Sequence, residues 1–127
     1  LGDVYKRQLL SRVRHSLSRQ ISKSIANENN LIQAFELSEE SLKYLSAKVA
    51  GKGTVIRIDN TKIQTIVNNI YKVIDKHNIN ADEIVVIVPM EIRQVTSVVL
   101  SQLMPSVKVV AKEEIANGYT TEIYDRV

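Results

Sequence analysis

"IVVIVPMEIRQVTSVVLSQLMPSVKVVA", residues 84–111, decides the fold. Ile84 to Val88 are apolar without a break. The run is strand-sized and far short of the roughly 18 residues of a membrane span. An unbroken apolar run implies burial on both faces, as in a central strand with other elements above and below it. Pro89 ends the run and suits the first turn of a helix, where its missing N–H has no intrahelical partner to lose. Ile92, Val95, Val99 and Leu103 then recur at three- and four-residue steps. That spacing predicts a helix over about 90–104, stopped by Pro105. "VKVVA", residues 107–111, reads as another short buried strand. Strand, helix and strand in so short a stretch form a parallel βαβ unit with a right-handed crossover.

Upstream, Ile63, Ile66, Val67, Ile70, Val73 and Ile74 form one helical stripe over about 61–77. Asp59 and Asn60 are suitable N-caps, and His77 falls in the last turn, where a cation suits the helix dipole. "TVIRID", residues 54–59, is β-like but short. "LSEESLKYL" starts another helix, with Ser38 as cap, Glu39 and Glu40 in the first turn, and Leu42, Leu45 and Val49 as its buried stripe. Gly51 is placed to end it. "LIQAFEL", residues 31–37, has enough alternation for a strand. Downstream, "EEIANG" reads as a loop or single turn, with Gly118 at a positive-φ position. Residues 119–127 alternate as an exposed edge or next-to-edge strand does.

These elements give an α/β fold. A leading amphipathic helix precedes a small mixed β-sheet of about four strands, flanked by three helices and containing the parallel βαβ unit. The leading helix is expected at about 9–27. Leu10, Val13, Leu17, Ile21 and Ile25 share one face of it, and Arg12, Arg14, Arg19 and Lys23 lie off that stripe. Residues 1–8, "LGDVYKRQ", fit no helix pattern and resemble translated adapter sequence. They are read as a non-native, assembly-derived leader.

Composition narrows the function. The 127 residues carry a net charge of +3, yet the excess sits at the front. Lys6, Arg7, Arg12, Arg14, Arg19 and Lys23 face only Asp3, whereas residues 27–127 hold 11 basic and 13 acidic side chains. A nucleic-acid binder would carry the basic stripe across the whole fold. The absence of cysteine removes disulfides, thiolate nucleophiles and Cys-based zinc sites together. His15 and His77 are the only imidazoles, and neither sits in a relay or metal-ligand spacing. "AGKGT" lacks the upstream glycine of a phosphate loop and follows a helix instead of opening one. Glu39–Glu40, Asp82–Glu83 and Glu113–Glu114 are explained by capping and solvation. Catalysis would need facing carboxylates in a cleft. No catalytic residue, metal ligand or cofactor is therefore expected. Arg93, after the buried strand at the point where α/β folds bind ligands, is either a surface arginine or an anion or partner contact. With Arg12, Arg14 and Arg19 it makes up the candidate partner-contact set.

Five motifs stand in a fixed order: "VR-x-x-L-x-R-x-I" at Val13 to Ile21, "ID-x-x-x-I" at Ile58 to Ile63, "P-x-x-I-R" at Pro89 to Arg93, "L-x-P-x-V-x-V" at Leu103 to Val109, and "E-I" at Glu114 to Ile115. Together they resemble the C-terminal end of the FHIPEP family, the export-gate subunits of flagellar and virulence type III secretion, over about residues 11–127. Asn60 and Val88 stand where the family commonly has a proline and a serine or asparagine. The resemblance implies a non-enzymatic part of a bacterial inner-membrane protein, on the cytoplasmic side, whose membrane part lies outside this chain. It implies a homo-oligomeric ring, nonameric in the family. The ring receives export substrates and their chaperones and works with other export-apparatus subunits, without nucleic acid. Residues 9–30 would be the terminal helix of a preceding all-helical subdomain, and residues 31–127 the C-terminal α/β subdomain. On that reading the first helix should stand apart from the sheet, and strands 84–88 and 107–111 should be neighbours. The alternatives are a basic nucleic-acid-binding module and a small-ligand-binding α/β domain.

Overall fold

The computed structural model describes residues 2–50 and 59–127. Its elements run α1 Gly2–Ser16, α2 Ser18–Ile25, β1 Leu31–Glu36, α3 Glu39–Ala50, α4 Asn60–His77, β2 Val85–Val88, α5 Met90–Ser101, β3 Lys108–Ala111 and β4 Thr120–Arg126. A short helical turn, Lys112–Glu114, follows β3. The strand order is β3-β2-β1-β4.

β2 and β3 are parallel neighbours with Val86 opposite Val109, so the βαβ unit stands as expected. Every residue of β2 is buried. Val86 and Val88 join the larger apolar cluster with Phe35, Leu45, Ile70, Val95 and Val99 from β1, α3, α4 and α5. Val85 and Ile87 face the other way, into a smaller cluster with Ile32, Ala34 and Val110. The unbroken apolar run thus has its cause: alternate side chains leave a strand on opposite sides, and here both sides are covered. Each such aliphatic side chain contributes about 1.5–3 kcal/mol by leaving water.

The sheet differs from the mixed one expected. β1 pairs with β2 and with β4 in parallel, so every pairing is parallel. β4 is an edge strand, as its alternation indicated, with most of its residues exposed. A register shift lies opposite Ala34 to Glu36.

Local chemistry explains most boundaries. The Asp59 side chain accepts from the Thr61 N–H at 2.9 Å and caps α4. All six stripe residues of α4 are buried, and His77 ends it. Asn78 follows in the left-handed region, at φ 54°. The Asn80 side chain accepts from the Asp82 N–H at 3.0 Å and caps the turn that follows. The Ser38 hydroxyl accepts from the Ser41 N–H at 3.2 Å at the start of α3. Pro89 is the N-cap residue of α5, one place before the first turn. α5 ends at Ser101, so Leu103 lies beyond it and is exposed, while Met104 turns into the core. Gly118 has φ 93°, as its place in the loop required. "TVIRID" up to Ile58, Gly51 and "GKGT" lie outside the described residues.

The front of the chain departs most from expectation. Helix begins at Gly2, not near Leu9, and is interrupted at Leu17. α2 does not stand apart from the sheet. Its Ile21 and Ile25 pack against the smaller cluster, which covers the second face of β1 and β2. The apolar stripe continues into α1 but is not buried there. Leu9, Leu10, Val13 and Leu17 are all exposed. The side of α1 turned to the fold carries Arg7, Ser11 and Arg14, all part-buried.

Candidate interaction site

Two motif pieces from opposite ends of the chain meet at one carboxylate. Glu114, at the end of the turn after β3, has a side chain with no exposure. The Arg14 Nε donates to its Oε2 at 2.6 Å, and Arg14 Nη2 donates to its Oε1 at 3.1 Å. Such two-pronged guanidinium–carboxylate contact is the stronger form of ion pair, fixed in direction as well as charge. The Ala111 N–H donates to the same Oε1 at 2.8 Å, tying the carboxylate to the end of β3. The pairing corrects the solvated reading of Glu113–Glu114. Glu113 is exposed, but Glu114 is in the core.

Arg93 joins them from α5. It is 8% exposed, so it is no surface arginine. Its Nη1 donates to the Val109 carbonyl at a long 3.5 Å. Burial, then the neighbouring Arg14 guanidinium, hold its proton affinity below the usual range, while Glu114 raises it. Arg14 thus binds the buried carboxylate directly, while Arg93 stands near it and is bonded to the strand. Glu113 occupies the strand tip instead: its Oε2 accepts from the Met90 N–H at 3.2 Å, at the start of α5. The position where an α/β fold would offer backbone N–H groups to an anion already holds a carboxylate of the chain itself.

Ser22 reinforces the contact from α2. It is fully buried, its hydroxyl donates to the Glu114 carbonyl at 3.0 Å or the Ser18 carbonyl at 2.7 Å, and it accepts from the Ala116 N–H at 2.9 Å. Of the four candidate arginines, then, Arg14 and Arg93 are brought together inside the fold, and Arg12 and Arg19 remain exposed on the leading helices. Glu114 and Ser22 were missed by sequence reasoning, since their partners lie about a hundred residues away along the chain.

A shallow groove of 330 Å³ opens on the second sheet face between Ile115, Tyr119, Thr121 and Ile123, with Glu36 and Lys112 among its lining residues. Among the described residues no group of three His, Cys, Asp or Glu is placed to hold a metal ion, and no helix is long and apolar enough to cross a membrane. His15 is exposed, and the His77 ring packs beside Tyr124 at 5.2 Å.

Comparison with solved structures gives matching folds. The MxiA protein of Shigella flexneri matches with a TM-score of 0.81 and 22% identity, over 94% of this chain and 37% of that one. The C-terminal domain of InvA matches at 0.76 and 18%, over 94% and 37%. Nonameric SctV-C from EPEC matches at 0.73 and 17%, over 91% and 35%. The chain thus spans just over a third of the structures it resembles. No curated protein matches it in sequence. The family model described as the FHIPEP family matches residues 3–120, nearly the whole chain, in agreement with the five ordered motifs. This chain belongs to the FHIPEP family.

Proposed function

We propose that this chain is the C-terminal cytosolic part of a type III, flagellar-type export gate, a scaffold and interaction module without catalytic activity. The observation that carries the proposal is the family match over residues 3–120. The site agrees with it: its charged residues are spent on one another inside the fold, as suits a structural part. In the proposed assembly the chain contributes to a homo-oligomeric ring that receives export substrates and their chaperones and contacts other export-apparatus subunits. Support for assembly comes from relatives of the same fold, a nonameric SctV-C and a complex of CdsV with CdsO in Chlamydia pneumoniae. The full protein would reside in the bacterial inner membrane through a part outside this chain, with this part on the cytoplasmic side.

The exposed Leu9, Leu10 and Val13 of α1, with Leu17 just beyond its end, fit the same reading. A contiguous apolar helix face open to water marks an interface. We assign it to an all-helical subdomain whose terminal helix lies within residues 9–30, ahead of the α/β subdomain at 31–127. The reading frame that carries this chain tests the whole proposal. Several hundred preceding residues with a cluster of membrane-spanning helices are expected, and interrupting the frame should abolish export of its cargo. A start codon close to Leu9 would refute the reading.

A further inference from the structure

α1 and α2 are attached to the fold by different means. α2 is anchored by apolar contact through Ile21, Ile25 and Ala26, and by buried Ser22. Among the described residues neither apolar cluster includes a side chain of α1. Its polar side faces the fold, and its tie is the double hydrogen bond from Arg14 to Glu114. Between the two helices Leu17 leaves helical geometry, at φ −100° and ψ 14°. The sequence supplies the cause. Ser16 and Ser18 flank it and donate their hydroxyls to the carbonyls of Val13 and His15, in competition with the helical ladder.

We propose that Arg14 and Glu114 form a releasable latch: α1 pivots at Leu17 between a docked position, held by the two guanidinium–carboxylate hydrogen bonds, and a free one in which Arg93 serves Glu114 as counter-ion. An ordinary buried pair cannot open this way, because release strands a bare charge in the core. Here the carboxylate is never stranded. Arg93 and the Ala111 N–H both belong to the α/β part and stay behind when α1 leaves. The Arg93 guanidinium sits on the Val109 carbonyl and the Glu114 carboxylate on the Ala111 N–H, two residues apart along β3 and on the same edge of that strand. The latch fixes the angle between the sheet and whatever packs on the outward face of α1 at Leu9, Leu10 and Val13. It goes beyond the export reading and does not depend on it.

The chain has no cysteine, so two spin labels can be placed without background. Leu9→Cys on α1 and Val98→Cys on α5 are both exposed positions. Their distance distribution, measured by pulsed electron paramagnetic resonance, should be narrow in the otherwise unchanged chain. Arg14→Ala should broaden it at least twofold. Amide exchange over residues 2–16 should rise about tenfold or more, the scale of losing a charged hydrogen bond, while exchange in β2 and α4 stays unchanged. Arg14→Lys, which keeps the charge but not the two-pronged geometry, should fall between. A distribution as narrow in Arg14→Ala as in the parent chain overturns the latch. So does loss of protection in β2 and α4 together with α1, because the pair would then hold up the fold and not merely the helix.

Discussion

Removing the charge of Glu114 should destabilise the chain far more than removing Arg14, although each change breaks the same ion pair. Glu114→Gln keeps the side-chain volume. It takes the counter-charge from Arg14 and the favourable field of the carboxylate from buried Arg93. Hydrogen bonds to charged groups contribute about 1.5–3 kcal/mol, and an uncompensated buried cation adds to that loss. A cost of roughly 2–4 kcal/mol follows, or a fall of about 8–15 °C in Tm for a chain of this size. Arg14→Ala is milder. The Arg14 side chain is 25% exposed, so water takes over part of its role, and Glu114 keeps the Ala111 N–H and the nearby charge of Arg93. We expect about 1 kcal/mol. Urea unfolding followed by circular dichroism measures both, with the m-values compared to confirm that the transition is unchanged. If Arg14→Ala costs as much as Glu114→Gln, or if Glu114→Gln costs under about 0.5 kcal/mol, this account of the buried carboxylate is wrong.

Three further outcomes follow from the same geometry. Ser22→Ala leaves the part-buried Ala116 N–H without its acceptor and should cost about 1 kcal/mol by urea unfolding; a neutral result would mean that water replaces the hydroxyl. Gly118→Ala meets no neighbouring atom but must adopt φ 93°, so a loss of about 1 kcal/mol is expected from backbone strain alone. Tyr124 titrates above its ordinary value, because burial first and Glu122 and Glu83 next disfavour the phenolate. A raised folded value means that the contribution is complete below the unfolded value, about 10, and is lost as pH rises through the folded one. Stability of the parent chain should therefore fall more steeply between about pH 9 and 11 than that of Tyr124→Phe, and equal slopes would remove Tyr124 from the account.

Apolar periodicity made the centre of the fold legible. β2, α5, β3 and α4 are buried enough that their spacing could have arisen in few other ways. Direction and docking were not legible. The alternation of residues 119–127 reports an exposed strand, but the same alternation suits a parallel or an antiparallel neighbour, so the all-parallel sheet could not be read from it. α1 misled for a different reason. Its apolar stripe faces water, and its docked side is built from Arg7, Ser11 and Arg14, which a burial rule assigns to solvent. Of the candidate arginines Arg14 pairs with Glu114, and a lone acidic residue carries no local sign of a partner a hundred positions away.

The pairing of β4 with β1 also governs how the chain is made. β1 leaves the ribosome well before β4, one of its two strand neighbours, which lies roughly ninety residues further on, and β2 is itself distant. Until β4 arrives, "LIQAFE" is an open edge with Ile32, Ala34 and Phe35 unshielded, the kind of segment that recruits other unfinished chains. Val127 completes the closure, its N–H on the Glu36 carbonyl at 2.8 Å and its own carbonyl on the Ser41 hydroxyl at 3.0 Å. A premature stop or a protease cut between residues 112 and 119 would therefore do more than shorten an edge. It would turn an interior strand into an adhesive one, so the chain is best protected from aggregation once it has been translated through β4.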